Sequence, residues 1–185
     1  HLWANQYRKD TKDIFELQQE IAKNIAKEIQ VIITPEEKER IEKIPTVDLI
    51  AYDLYLKGRE LSYLGSSDLE KAIPLFKKAI ERDQEFALAY ASAAFAYYYL
   101  DIFKAEKKYG IEIGSYADKA LLYDAKLAES LLAKALSYMH KKEYELAVPY
   151  LEKALEYNPN SALIIGFLSD FYANSIPNTA KYLQY

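Results

Sequence analysis

Cysteine is absent from the 185 residues, which excludes disulfides, thiolate metal sites and cysteine nucleophiles and leaves the redox compartment open. Glycine and proline are scarce, at five and six residues. An all-β chain of this length would need more turn residues, so long helices are the economical reading. The two histidines, His1 and His140, have no histidine or cysteine partner at ligand spacing, so a zinc site is disfavoured. His140 is expected at a solvent-accessible helix end. An excess of positive charge is also lacking: 24 Lys and Arg are interleaved with 28 Asp and Glu, for a formal net charge of −4. Such a surface cannot track phosphates, and nucleic acid is not an expected partner. No apolar run reaches the roughly 18–20 residues of a membrane span, and there is neither a Gly-rich phosphate loop nor a nucleophile elbow. Glu143 and Glu145 stand two apart, on different helix faces, and make no acid/base pair. Neither catalytic residues nor a cofactor are expected.

What the chain does have is apolar content at 51%, with 28% charged residues, and a repeat. The segment Ala72-Ile73-Pro74-Leu75-Phe76-Lys77-Lys78-Ala79 recurs as Ala147-Val148-Pro149-Tyr150-Leu151-Glu152-Lys153-Ala154, with small and large residues in the same order. The best copy, Ala128 to Ser161, spans the roughly 34 residues of a tetratricopeptide repeat and resembles it through Leu131, Ala135, Tyr138, Ala147, Leu151, Ala154 and Pro159. Lys134 stands where that pattern has Leu. Small residues at Ala135, Ala147 and Ala154 let two antiparallel helices approach closely, and one such pair cannot bury both faces alone, so neighbours must stack.

Further copies follow at 51–84, through Leu54, Gly58, Leu61, Ala72, Phe76 and Ala79; at 87–125, with an insertion between Tyr97 and Ser115 whose loop Gly110 and Gly114 should mark; and at 162–185, cut short. Ser67-Asp68-Leu69-Glu70 reads as a capping box, and the equivalent positions of Pro74 and Pro149 suggest a shared backbone feature. The expected fold is all-α, an antiparallel helix-pair solenoid; the resemblance implies a right-handed superhelix.

Upstream, Ile14, Leu17, Ile21, Ile25 and Ile29 recur at helical spacing, so 13–30 reads as an amphipathic helix with one buried stripe. Thr34-Pro35-Glu36-Glu37 is a capping box with Pro at the first helical position, opening a linker helix that ends before Pro45. Thr46 is placed to cap the next helix. Leu2-Trp3-Ala4, Tyr7, Asp13-Ile14-Phe15-Glu16-Leu17-Gln18 and Ala51-Tyr52-Asp53-Leu54-Tyr55-Leu56-Lys57-Gly58 together resemble the junction in bacterial multidomain signalling proteins where a TolB-like domain meets tetratricopeptide repeats. In that family an adenylate/guanylate cyclase or helix-turn-helix domain often lies upstream. The resemblance implies that residues 1–33 hold the end of the upstream domain and its connecting helix, 34–50 a linker helix and 51–185 the repeats. It transfers no cyclase or DNA-binding residue to any position here. Opening at His1 and ending inside a repeat, the sequence is expected to be a piece of a longer protein. The cytoplasm is the expected compartment, or the periplasm if a membrane span lies upstream.

Stacked repeats present their first helices on a concave face. The register puts Tyr52, Tyr55, Arg59 and Tyr63 there from the first copy, and Phe95, Tyr98 and Tyr99 from the second. The third adds Leu132, Leu136, Met139 and His140, and the fourth Phe167, Asp170 and Asn174. Tyrosines offer large amphipathic area at low entropic cost, which suits a peptide or protein partner; the alternative reading is that several are covered by the neighbouring second helices or by the 13–30 helix. With Arg59 as the main cation, a clamp for a terminal carboxylate is disfavoured. The competing expectation is a structural module that self-associates through its tyrosine-rich surfaces, and a homodimer through uncovered helical ends is expected as well.

Overall fold

The computed structural model describes residues 14–29, 33–62, 66–102, 104–175 and 181. The anticipated strand remnant at Leu2 to Tyr7, the Gly65 turn, the Ser67 side chain and all of the last helix except Lys181 lie outside them. Among the described residues the chain is helical, with nine α-helices and one π-helical turn. It divides into two compact units, His1–Leu49 and Ile50–Tyr185.

The first unit holds α1 (Ile14–Glu28) and α2 (Pro35–Glu42). Thr34 closes the capping box: its hydroxyl accepts from the Glu37 N–H at 3.2 Å, and the Glu37 carboxylate accepts from the Thr34 N–H at 2.8 Å. Those bonds hold the Glu37 carboxyl below its usual range. The Gln19 amide donates to the Glu42 carbonyl at 3.0 Å and Lys23 pairs with the Glu42 carboxylate at 2.7 Å, tying α1 to the end of α2. The α1 stripe is only partly covered, since Ile25 is 43% and Ile29 65% exposed. Buried Thr46 accepts from the Asp48 N–H at 3.1 Å, a turn that leads into the next helix.

The second unit stacks α3 (Leu49–Ser62), α4 (Ser66–Arg82), α5 (Ala87–Asp101), α6 (Gly110–Tyr123), α7 (Ala128–His140), α8 (Tyr144–Tyr157) and α9 (Ala162–Asp170) as repeating helix pairs. Ala72, Phe76, Ala79, Ala147, Leu151 and Ala154 are wholly buried, so the repeated motif is the seam of each pair. At Gly58 an added Cβ would stand 2.7 Å from the Phe76 ring; glycine on α3 makes room for the aromatic of α4. Pro74 and Pro149 both lie on exposed faces of helices that continue through them. Each proline removes the N–H that would bond the carbonyl four residues back, that of Glu70 or Glu145, both exposed residues.

Helix α5 is apolar all round and buried accordingly, packed against α4, α6 and α7. Its alanines let Tyr90, Ala91 and Ala94 meet Ala117, Ala120 and Ala133 in one cluster. Lys134, out of place in the sequence pattern, pairs with Asp118 of α6 at 2.6 Å, with its ammonium 5.0 Å from the Tyr138 ring centre. Helix α5 ends at Asp101 and α6 begins at Gly110, so the expectation that Gly110 and Gly114 mark the insertion loop is corrected: Gly110 opens α6 and Gly114 lies inside it. A Cβ at Gly110 would stand 3.1 Å from Cε1 of His140. This glycine serves close packing, not a turn. After α9 a π-helical turn, Phe171–Ser175, buries the adjacent rings of Phe171 and Tyr172, and the Tyr172 hydroxyl donates to Glu152 of α8 at 3.0 Å.

Candidate functional site

The first helices of successive pairs, α3, α5, α7 and the start of α9, converge on a cavity of about 420 Å³. Small side chains on the floor, Ala91 and Ala133, leave the volume, and Phe95, Leu132 and Leu136 supply apolar wall. A cavity of this size falls at the lower end of the range for ligand sites, roughly 300–1,000 Å³. A second hollow of about 300 Å³ lies beside Tyr98, Met139, His140, Phe167 and Asp170.

Most of the residues expected on one concave face are thus divided between two hollows, while Tyr52, Tyr99 and Asn174 line neither. Tyr55, Arg59, Phe95, Leu132 and Leu136 line the first; Tyr98, Met139, His140 and Asp170 line the second. Tyr63 lies outside the described residues. Several of the aromatics are core residues. Tyr52 is buried 6.0 Å from the Tyr55 ring, and Tyr55 is itself buried, 5.3 Å from Phe86 and 6.3 Å from Phe76. Burial pushes the Tyr55 hydroxyl up to about 12, against the pull of the Arg59 guanidinium 5.7 Å from its ring centre. Tyr98 is buried, and its hydroxyl is likewise raised, first by burial and then by Tyr99, Tyr144 and Asp170. Phe95 and Tyr99 are half-buried with ring centres 4.5 Å apart and planes tilted by 38°, and Arg59 is exposed. The cavity therefore offers Arg59 and Phe95 to a ligand, over walls made by buried side chains.

Glu129, which the register did not single out, joins Arg59 at the first cavity. Its position is legible afterwards: Glu129, Leu132 and Leu136 stand at i, i+3 and i+7 on one face of α7. It is exposed to solvent, yet enclosure by the surrounding walls pushes its carboxyl upward, Asp124 adds to this, and its own backbone N–H and Arg59 pull it back only in part.

At the second hollow the expected exposed His140 is corrected. Its side chain is 9% exposed, and Nε2 lies 2.8 Å from Oδ2 of Asp101, which is wholly buried at the end of α5. The same Asp101 oxygen accepts from the Lys108 and Tyr109 N–H groups at 2.8 and 3.0 Å, holding the start of α6. Lys107 donates to the Asp101 and Ile102 carbonyls, both at 2.7 Å, and closes the end of α5. Burial alone would raise the Asp101 carboxyl, but the Tyr109 N–H, His140 and the Lys108 N–H together hold it below its ordinary range. Sequence pattern gave one hint of this lock: Asp101 is the only charged residue of an otherwise apolar helix.

No group of three or more His, Cys, Asp or Glu able to hold a metal occurs among the described residues, and no helix among them is long and apolar enough to cross a membrane. Residues 128–161 match the tetratricopeptide repeat, and so do residues 54–86. Over 94 residues the chain is 36% identical to a protein of Rhizobium meliloti (strain 1021) described as "Putative adenylate cyclase 3". The match covers 50% of this chain and 16% of that protein. Helix-pair packing and the two matched segments place tetratricopeptide repeats at 54–86 and 128–161, in the helical packing typical of protein-interaction scaffolds, within a chain partly similar to a bacterial protein named as a putative adenylate cyclase.

Proposed function

We propose that the chain is a non-catalytic interaction module of a larger bacterial signalling protein and that it holds a peptide or protein segment in the concave groove over the first cavity. The observation that carries this reading is the convergence of α3, α5, α7 and the start of α9 on one hollow, with Arg59 exposed and Phe95 half-buried at its wall. Apolar contact in the hollow supplies most of the affinity, and Arg59 orients a carbonyl or carboxylate. Partial similarity to a protein named as a cyclase is consistent with a module that serves a signalling output elsewhere in the full-length protein.

The test is selection of peptides from a displayed library, followed by titration against variants. Aromatic and Arg hot spots are worth about 2 kcal/mol or more, so Phe95→Ala and Arg59→Ala should each weaken binding by roughly thirtyfold with the helical signal unchanged. Tyr55 and Tyr98 are poor choices for this purpose because both are core residues. Binding that survives both substitutions, or is lost only on changing Lys77 and Lys78, would place the interaction elsewhere.

Self-association is the second reading. On α6, Ile111 is 86% and Leu122 75% exposed, eleven positions apart and so on one face of the helix. Light scattering over a concentration series should show dimer that Ile111→Glu abolishes; a monomer at all concentrations would remove this reading.

A further inference from the structure

Charge at the first cavity is confined to two walls. Arg59 comes from α3 and Glu129 from α7, while α5, which supplies the floor between them, contributes only Ala91, Ser92 and Phe95. Both charged side chains are exposed. They are close enough to influence each other, since Arg59 pulls the Glu129 carboxyl downward, yet neither is engaged in an ion pair among the described residues. Each is instead occupied locally, Arg59 over the Tyr55 ring and Glu129 at its own backbone N–H in the first turn of α7.

A carboxylate that water reaches but hydrates poorly gains more from an incoming cation than one on an open surface, because the enclosing walls lower the local dielectric. Its upward displacement by enclosure is the sign of that unmet demand. Arg59, planar and permanently charged, is suited to a carboxylate at the opposite wall. Between the two walls the hollow is apolar and, at about 420 Å³, has room for one large side chain with adjoining backbone.

We infer that the groove takes a peptide in which a bulky apolar anchor, seated in the cavity, is flanked by a basic residue facing Glu129 and an acidic residue facing Arg59. This rests on the peptide-groove reading and adds to it a charge order across the groove. It also explains why the site need not resemble a clamp for chain termini: recognition uses one residue of each sign around an internal anchor.

Three short peptides, acetylated and amidated at their ends and labelled for fluorescence anisotropy, test it. Each has a central phenylalanine: one carries Lys before and Asp after it, one carries the reverse order, and one carries Gln and Asn instead. The expected result is that one charged order binds about tenfold more tightly than the neutral peptide, a difference of about 1.4 kcal/mol. Glu129→Gln should reduce that advantage, and the double variant Arg59→Glu with Glu129→Arg should prefer the opposite order. Circular dichroism checks that the variants remain helical. Equal binding of all three peptides would overturn the charge order while leaving the groove reading in place. Free phenylalanine binding as tightly as the best peptide would overturn the assignment to a peptide. Absence of binding by every probe would overturn both readings.

Discussion

Asp101 shows how much one residue can organise. It closes a fifteen-residue helix that is otherwise apolar, is wholly buried, and accepts on one oxygen from His140 and from two backbone N–H groups at the entrance of α6. Its other oxygen has no hydrogen-bond partner among the described protein groups. The charge is therefore held by donors that Asn would meet with a weaker acceptor. Asp101→Asn should cost about 1.5–3 kcal/mol at neutral pH, the range for hydrogen bonds to a charged group. Because its carboxyl is depressed in the folded protein, this stabilisation is complete above the ordinary carboxylate range, near pH 4, and is lost as pH falls through the lower folded value. Urea unfolding of both proteins should then show a gap that is constant through neutral pH and narrows in acid. A gap independent of pH would mean that the carboxylate charge does not contribute. Beyond the lone charge on an apolar helix, the lock was not legible in the sequence, since Asp101 and His140 stand 39 positions apart and only tertiary packing brings them together. A helix-end His with no ligand partner nearby in sequence reads as a surface residue, and the burial comes from tertiary packing.

Among elements, the contact of α3 with α4 is the most demanding. Placing Ala at an ordinary helical glycine gains up to about 1 kcal/mol in helix propensity. At Gly58 the new methyl would meet the Phe76 ring at 2.7 Å, and Phe76 is wholly buried and cannot retreat into solvent. Overpacking of a tight core costs about 1–3 kcal/mol, so Gly58→Ala should destabilise the protein by about 1–2 kcal/mol in denaturant unfolding. A stabilised variant would show that the ring moves aside at little cost. The repeat itself was readable because close-packed seams demand small residues at fixed intervals, and Ala72, Ala79, Ala147 and Ala154 are all wholly buried. The insertion was harder to delimit. Glycine usually punctuates a chain, whereas Gly110 and Gly114 are helical, and the first is small because the His140 ring occupies the space beside it. Lys134 likewise looked like a lapse in the pattern until Asp118 on the neighbouring helix supplied its partner.

At the scale of the whole molecule, stacking decides which side chains a ligand can meet. Repeat register alone could place Tyr52, Tyr55 and Tyr98 on first helices, but only packing shows that their rings are buried. The register carried Arg59, Phe95, Leu132 and Leu136 to a common hollow, while Glu129 went unnoticed because a carboxylate in the first turn of a helix reads as an ordinary complement to the helix dipole. The proposed function stands or falls on whether ligand contacts fall on the first helices. The most direct measurement is NMR of the labelled protein during titration with a library-selected peptide, following backbone amides and aromatic side chains together. The account predicts saturable shift changes clustered at Arg59, Phe95, Glu129 and Leu132, on α3, α5 and α7. Changes centred instead on the outer helices, at Lys77 and Lys78 of α4 or Ile111 of α6, would contradict it.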